Sequence, residues 1–209
     1  MRRNSSPDII DLDFAALETH LIALAEKIRR SDFAPEHILY IERAGLYCAH
    51  TLSRHLHISA SGIQAQRSAN ILKEKSRFIL RRMPRALSHA LRKLEIVSGL
   101  HTKNSERRIS FQGPQPPRDR NLLILDDALD TGYSIHAVRQ HLLHLGYDPA
   151  RIKTAVLTIT GEQTMFQPDF YLFDHTIVTF PWSYDSVVFE KAQHQYHAFQ
   201  KEIHEFCHA

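Results

Sequence analysis

The chain is poor in cysteine, in long apolar runs and in net charge, and each shortage limits the classes of protein that it favours. Cys48 and Cys207 are the only cysteines among 209 residues, which predicts no disulfide framework and favours a reducing cytoplasm. No apolar run could cross a membrane, and acids at positions 8, 11 and 13 interrupt any signal-peptide core. The formal net charge of +3 does not by itself indicate nucleic-acid binding. Neither G-x-x-x-x-G-K-[ST] nor G-x-G-x-x-G occurs, so two common phosphate-binding loops are excluded.

Apolar runs alternate with stretches of helical periodicity along the chain. The expected helices cover 13–30, 46–56, 135–143 and a tail at 187–207. The expected strands are 37–41, 58–66, 122–125, 153–160, 169–173 and 176–180. Such alternation predicts an α/β protein with a doubly wound, mostly parallel sheet, built as a single domain over residues 1–209.

The most informative segment runs from Asp126 to Ser134, between an expected buried strand and an expected helix. Backbone N–H groups at a helix start, with the hydroxyls of Thr131 and Ser134 beside Gly132, can cradle a phosphate. Adjacent carboxylates at 126 and 127 can accept hydrogen bonds from a vicinal diol or hold Mg²⁺. The alternative, an acidic turn that only caps the helix, explains one or two of these residues but not the ordered set.

This segment resembles the phosphoribosyl-diphosphate (PRPP) loop of the type I phosphoribosyltransferases, in which two acids precede Asp-Thr-Gly-x-Thr/Ser. The resemblance implies that Asp126 and Asp127 hold the ribose hydroxyls and Mg²⁺. It further implies that Asp130 lies near the base as a catalytic residue, and that the 5-phosphate is wrapped by Thr131, Gly132 and Ser134. The other members of the implied PRPP-binding loop are Ala128, Leu129 and Tyr133.

A second match to the family is the turn after the first core strand, where these enzymes grip pyrophosphate. Here Arg43 is the implied catalytic cation, and Ala44 and Gly45 are the implied backbone donors. The sequence departs from the family habit, since Ala44 stands where glycine is common. An ordinary strand-to-helix turn is the alternative interpretation.

Residues 160–209 are expected to form a base-binding and C-terminal hood segment. The stretches 168–171 and 180–182 resemble the base-binding end of the xanthine–guanine and hypoxanthine phosphoribosyltransferases, where an aromatic ring stacks on the purine. Trp182 is the implied stacking residue, and the alternative is that it fills the core. The lysine that those enzymes carry after the preceding strand is replaced by Thr160-Gly161-Glu162, so Glu162 is the candidate that reads the base.

Residues 67–120 are expected to form a basic helical insert followed by a mobile loop over 99–120. A solvated basic face and a phosphate- or nucleic-acid-binding patch are both compatible with its charges. The candidate loop cations are Lys103, Arg107 and Arg108. The motif H-E-x-x-H at 204–208 is compatible with a zinc site, but a chance match is favoured among 15 histidines.

Taken together, these residues favour a Mg²⁺-dependent phosphoribosyltransferase that transfers ribose 5-phosphate from PRPP to a nucleobase or similar heterocycle. The resemblance implies a homo-oligomer, a dimer or higher, and nucleic acid is the less favoured partner. The alternative function is a non-catalytic PRPP- or nucleotide-binding regulator on the same fold, which contacts nucleic acid or a partner through its insert.

Overall fold

A computed structural model describes residues 8–42, 45–67, 107–161 and 163–183, together with Ser186 and Phe199. Its helices are α1 (Phe14–Arg29), α2 (Gly45–Leu56) and α3 (Tyr133–His144). Its strands are β1 (Asp8–Asp11), β2 (His37–Ile41), β3 (Ser59–Arg67), β4 (Arg107–Gln112), β5 (Leu122–Leu129), β6 (Ile152–Ile159), β7 (Phe173–Asp174) and β8 (Thr176–Thr179).

Within these ranges, six strands form a central sheet in the order β4-β3-β2-β5-β6-β7. Every neighbouring pair is parallel except β3 with β4. β1 and β8 form a separate, two-stranded parallel sheet. The predicted α/β class with a mostly parallel sheet is therefore confirmed.

Helices cover both faces of the sheet, which explains why its central strands are apolar without alternation. Ile38 and Tyr40 of β2 pack in one core cluster with α1 and α2, while Leu39 and Ile41 pack in the other with α3. The carboxylate of Asp13 caps the first turn of α1, close to the predicted start of that helix. Because successive side chains of a strand point to opposite faces of the sheet, the single apolar run of β2 contributes to both cores.

The stretch predicted as a mobile loop over 99–120 contains a strand instead at Arg107–Gln112. This strand, β4, runs antiparallel to β3, and Ile109 and Phe111 pack against the core on the α3 side. The prediction was wrong for these residues because their alternation is short and flanked by polar sequence. Pairing with β3 satisfies backbone groups that would otherwise form an exposed sheet edge.

The C-terminal strands also differ from the prediction over 169–173. Only Phe173 of that run belongs to a strand, β7, and Phe170 makes an isolated bridge to Ala155. The run at 176–180 does form a strand, but it pairs with β1, a strand that the sequence analysis missed. Both partners are four residues long, and their pairing joins distant parts of the chain.

The chain reverses its direction of winding between β2 and β5. From β2 it passes through α2 to β3 on one side, and from β5 it passes through α3 to β6 on the other. The two crossover helices lie on opposite faces of the sheet. The carboxyl ends of β2 and β5 therefore flank a crevice, which is where open α/β sheets bind ligands.

Several predictions fall outside the described residues: the helical part of the insert, the H-E-x-x-H motif, and the tail apart from Phe199. The same holds for Arg43, Ala44 and Glu162. None of the three described helices is both long and apolar enough for a membrane span.

Candidate active site at the carboxyl edge of the sheet

The acid pair lies at the end of β5, beyond the point where β2 stops pairing with it. β2 pairs as far as Tyr40 with Leu125, so Asp126 and Asp127 extend past it into the crevice. Both carboxyl groups are half-buried. The Asp127 N–H donates to Oδ1 of Asp126 at 3.0 Å, and the Ala128 N–H donates to Oδ1 of Asp127 at 2.7 Å. The pair is therefore held at the open edge of the sheet rather than in the core.

Crowding makes full ionisation of this pair costly. Burial, and then the neighbouring Asp127, raise the pKa of Asp126 well above its usual range, while Arg107 opposes that rise. Burial likewise raises the pKa of Asp127 to about 6. Two carboxylates so close favour a bound proton, a cation or hydrogen-bond donors between them. A ligand that supplies hydroxyl donors or a divalent cation relieves this repulsion.

The start of α3 supplies the opposite electrostatic character. Its N-cap is Gly132, which has φ of 83° and makes no side-chain capping hydrogen bond. That backbone angle strongly favours glycine. Because glycine has no side chain to cap the helix, Gly132 leaves the N–H groups of the first turn free of an N-cap side-chain bond, and a ligand can accept from them. An aspartate or serine at the N-cap position, which the alternative interpretation as an ordinary capped helix start would favour, is not found there.

Asp126 of the acid pair and the helix start border one cavity of about 140 Å³. It is lined by Arg107, by Asp126 and by residues 128–135. Arg107 enters from β4 and donates from Nη1 to Oγ of Ser134 at 2.7 Å. Of the three predicted loop cations, Arg107 thus lies in the site, whereas exposed Arg108 is not part of its lining, and Lys103 lies outside the described residues.

The turn after β2 adjoins the acid pair directly. A Cβ on Gly45 would lie 3.3 Å from the carbonyl oxygen of Leu125 and 3.9 Å from Cα of Asp126. The two sequence segments predicted to bind PRPP therefore meet in space, although Arg43 and Ala44 are outside the described residues. Cys48 follows on α2, where burial and the charges of Asp127 and Asp126 raise its pKa well above the usual range. Burial and the two acids thus disfavour the thiolate, which is the nucleophilic form of cysteine.

The segment after β6 supports the loop in a way that the sequence analysis missed. A Cβ on Gly161 would lie 1.8 Å from the carbonyl oxygen of Asp130, so only glycine fits there. The Met165 N–H donates to the carbonyl oxygen of Thr131 at 3.1 Å. Phe166 packs against Gly132, 3.0 Å from where a Cβ would stand. A glycine directly after a buried strand was the available signal, but its partner could not be identified from sequence.

Trp182 lies in an aromatic cluster and is not part of the cavity lining around the 126–134 loop. Its ring stacks on Phe180, with centroids 5.1 Å apart and planes at 9°. Tilted contacts to Tyr47 at 5.8 Å and Phe14 at 6.4 Å surround it. Its partly buried ring packs against the α1–α2 core, and stacking on a ligand base stays a prediction.

The donor set at the crevice suits a hard divalent cation only in part. In the described part of the chain, no group of three or more histidine, cysteine or acidic side chains could hold a metal ion. The acid pair nevertheless offers oxygen ligands of the kind that Mg²⁺ prefers. Mg²⁺ commonly takes one or two protein carboxylates and completes its shell with substrate oxygens and water. The residues present therefore fit a metal that arrives with a phosphorylated substrate.

Comparison with known proteins agrees with this geometry. A family model described as a phosphoribosyl transferase domain matches residues 12–188. A search of curated proteins found no match.

Several solved structures are similar in fold. A purine phosphoribosyltransferase from Pyrococcus horikoshii is 23% identical with a TM-score of 0.58, over 86% of this chain and 97% of that one. A xanthine-guanine-hypoxanthine phosphoribosyltransferase from Helicobacter pylori is 18% identical with a TM-score of 0.60, over 85% and 95% of the two chains. A hypothetical protein from Neisseria gonorrhoeae with bound ppGpp is 17% identical with a TM-score of 0.55, over 91% and 97%. At these identities the likeness concerns the fold alone.

Proposed function

The chain belongs to the phosphoribosyl transferase domain family and is a phosphoribosyltransferase, and from that premise we propose that it transfers ribose 5-phosphate from PRPP to a ring nitrogen of a nucleobase or similar heterocycle. The observation that carries the proposal is the glycine-capped start of α3, which shares a cavity with Asp126 of the acid pair at the crevice. A phosphate site and a diol site side by side suit the two ends of a ribose 5-phosphate.

The proposed roles follow from position in the cavity. Thr131, Gly132 and Ser134 bind the 5-phosphate through hydroxyl and backbone donors. Asp126 and Asp127 accept hydrogen bonds from the ribose hydroxyls, and they would hold Mg²⁺ together with substrate oxygens and water. When bound, the metal supplies positive charge to the pyrophosphate oxygens.

The reaction breaks the bond from the anomeric carbon to pyrophosphate oxygen and forms a bond from that carbon to the ring nitrogen. Positive charge develops on the sugar while negative charge leaves with pyrophosphate, so cations near the leaving group lower the barrier. We assign this role to Arg43, next to the Gly45 turn that contacts the end of β5. The ring nitrogen loses a proton as it attacks, and Asp130, on the exposed rim of the cavity, is the proposed base that takes it.

The identity of the base depends on the segment after β6, which has no lysine at Thr160-Gly161-Glu162. An ammonium group that would donate to the oxygen of a 6-oxopurine is therefore missing from this position. A carboxylate at Glu162 accepts from an amino group instead, and an unmet buried polar group costs about 1–3 kcal/mol. We therefore propose an aminated or otherwise unusual heterocycle rather than hypoxanthine, guanine or xanthine.

The test is pyrophosphate release from PRPP with Mg²⁺ across a panel of oxopurines and amino-substituted heterocycles. We expect PRPP to raise the melting temperature, and we expect release with an amino-substituted base but weak or no release with the oxopurines. Rapid release with micromolar hypoxanthine would refute the base assignment and leave the transferase intact. No PRPP-dependent stabilisation and no release with any base would refute the proposed function.

A second candidate function is regulatory binding of a nucleotide without turnover. It is favoured by the fold likeness to the Neisseria gonorrhoeae protein, which is described with bound ppGpp. The start of α3 and the acid pair would serve either function. Stabilisation by ppGpp at lower concentration than by PRPP, with no pyrophosphate release for any base, would select this candidate over the enzyme.

A further inference from the structure

The proposed phosphate site, formed by Thr131, Gly132 and Ser134 at the start of α3, has too little positive charge in its own loop to balance a bound phosphate. A sugar phosphate monoester carries roughly −1.5 to −2 charges at neutral pH. A helix start offers about half a positive charge, and Asp126 and Asp130 line the same cavity. Within the described lining, Arg107 is the only cationic side chain.

Arg107 reaches the phosphate site through the topology of the sheet. β3 runs parallel to β2, so its last residue, Arg67, lies at the carboxyl edge. β4 returns antiparallel, and Arg107 pairs in register with Arg67 at that same edge. Because the edge strand β4 is antiparallel to β3, its first residue, Arg107, lies at the edge where the parallel strands end, and this places a cation beside the site.

The contact between Arg107 and Ser134 places a guanidinium donor next to a hydroxyl donor. Nη1 of Arg107 donates to the Ser134 hydroxyl oxygen at 2.7 Å. A hydroxyl has one proton and two lone pairs, so accepting from Arg107 leaves the Ser134 proton to donate elsewhere. Guanidinium groups match phosphate oxygens in geometry as well as charge.

We propose that Arg107 binds the phosphate monoester of the sugar substrate together with Ser134, and that it thereby makes the site select phosphorylated sugars. This inference rests on the proposed function, because it assigns the cation of the phosphate subsite. Arg107 is a binding residue in this role and does not touch the reacting carbon.

The neighbouring Arg108 provides a matched control. Successive side chains of a strand point to opposite faces, and Arg108 is exposed and absent from the cavity lining. Arg108→Gln removes the same charge from the same strand, one residue away. A general effect of net charge on anion binding would weaken both variants equally.

The experiment is calorimetric titration of the full chain with ribose 5-phosphate in Mg²⁺, for the wild type, Arg107→Gln and Arg108→Gln. Loss of a charge-assisted contact predicts about 10- to 100-fold weaker binding for Arg107→Gln. Arg108→Gln is expected to bind like the wild type. Arg107→Met, which keeps the apolar stem, replaces Arg107→Gln if the latter does not fold.

Wild-type affinity in a folded Arg107 variant would overturn the inference and leave the transferase proposal standing, as would equal losses in both arginine variants. A wild-type chain that binds neither PRPP nor ribose 5-phosphate would overturn both.

Discussion

Polar side chains near the amino end of the central sheet have partners supplied by the fold, whereas the acids at its carboxyl end crowd one another. Near the start of β6, Asp169 accepts from Nζ of Lys153 at 2.8 Å and from the N–H and hydroxyl of Thr154 at 2.8 and 2.9 Å. Asp126 and Asp127 instead accept from backbone N–H groups beside each other. The Asp169 carboxylate stabilises the fold, whereas the crowded Asp126–Asp127 pair is the one that we propose binds a ligand.

The largest expected effect is a loss of PRPP affinity when both charges of the Asp126–Asp127 pair are removed. Asp126→Asn with Asp127→Asn should weaken PRPP binding by more than about 100-fold, because two charge-assisted contacts are lost. The free energy of unfolding should stay constant or rise, since like-charge crowding is relieved. Calorimetric titration and urea unfolding measure the two quantities. Unchanged PRPP affinity in the double variant would contradict the assignment of this edge as the site.

The next largest effect is expected when the contact between Gly161 and the 126–134 loop is disturbed. In Gly161→Ala the new Cβ would stand 1.8 Å from the carbonyl oxygen of Asp130, so the loop must move. Displaced donors should weaken PRPP binding by about 10- to 100-fold.

The control for this variant is Gly113→Ala, which has no neighbour within 4 Å but has φ of 100°. It should lower stability through backbone strain and leave PRPP affinity unchanged. Equal PRPP affinities in the two glycine variants would show that close approach at Gly161 does not position the loop.

A smaller effect is expected at the amino end, and on stability alone. Asp169→Asn should lower the free energy of unfolding by about 1–3 kcal/mol, because hydrogen bonds to a charged acceptor are weakened. PRPP affinity should remain that of the wild type. Urea unfolding with parallel titration measures both, and a large loss of PRPP affinity would remove the contrast between the two ends of the sheet.

The smallest effect is a pH dependence at the start of β2. The ring of His37 bonds to Oγ of Ser59 at 2.7 Å and Ser61 at 2.8 Å, and burial, then Arg120, lower its pKa from 6.5 to about 4. The unfolded chain therefore takes up this proton first, so stability falls as the pH drops from 6.5 towards 4.

Solvent screening of this partly exposed ring limits the loss to about 1 kcal/mol. His37→Gln should flatten the curve of unfolding free energy against pH over this window. An identical slope in the wild type and the variant would show that His37 does not titrate as expected.

Much of the fold and the centre of the site could be predicted because their signals are contiguous. The apolar run before Asp126 and the helical spacing after Ser134 defined β5 and α3, and Asp13 marked the start of α1. Predictions were weaker where elements are short. β1 and β7 have too few residues to show a period, and the expected loop around Arg107 proved to contain a strand.

By itself the sequence determined the strand–loop–helix unit and the chemistry of residues 126–134, because backbone preference and side-chain period act between near neighbours. Only the tertiary structure decided which distant groups meet that loop. Arg107 reaches Ser134 because β4 runs antiparallel to β3, and Gly161 reaches Asp130 because β6 pairs with β5. Such contacts depend on strand order and register, which are selected by burial of two whole cores rather than by any local segment.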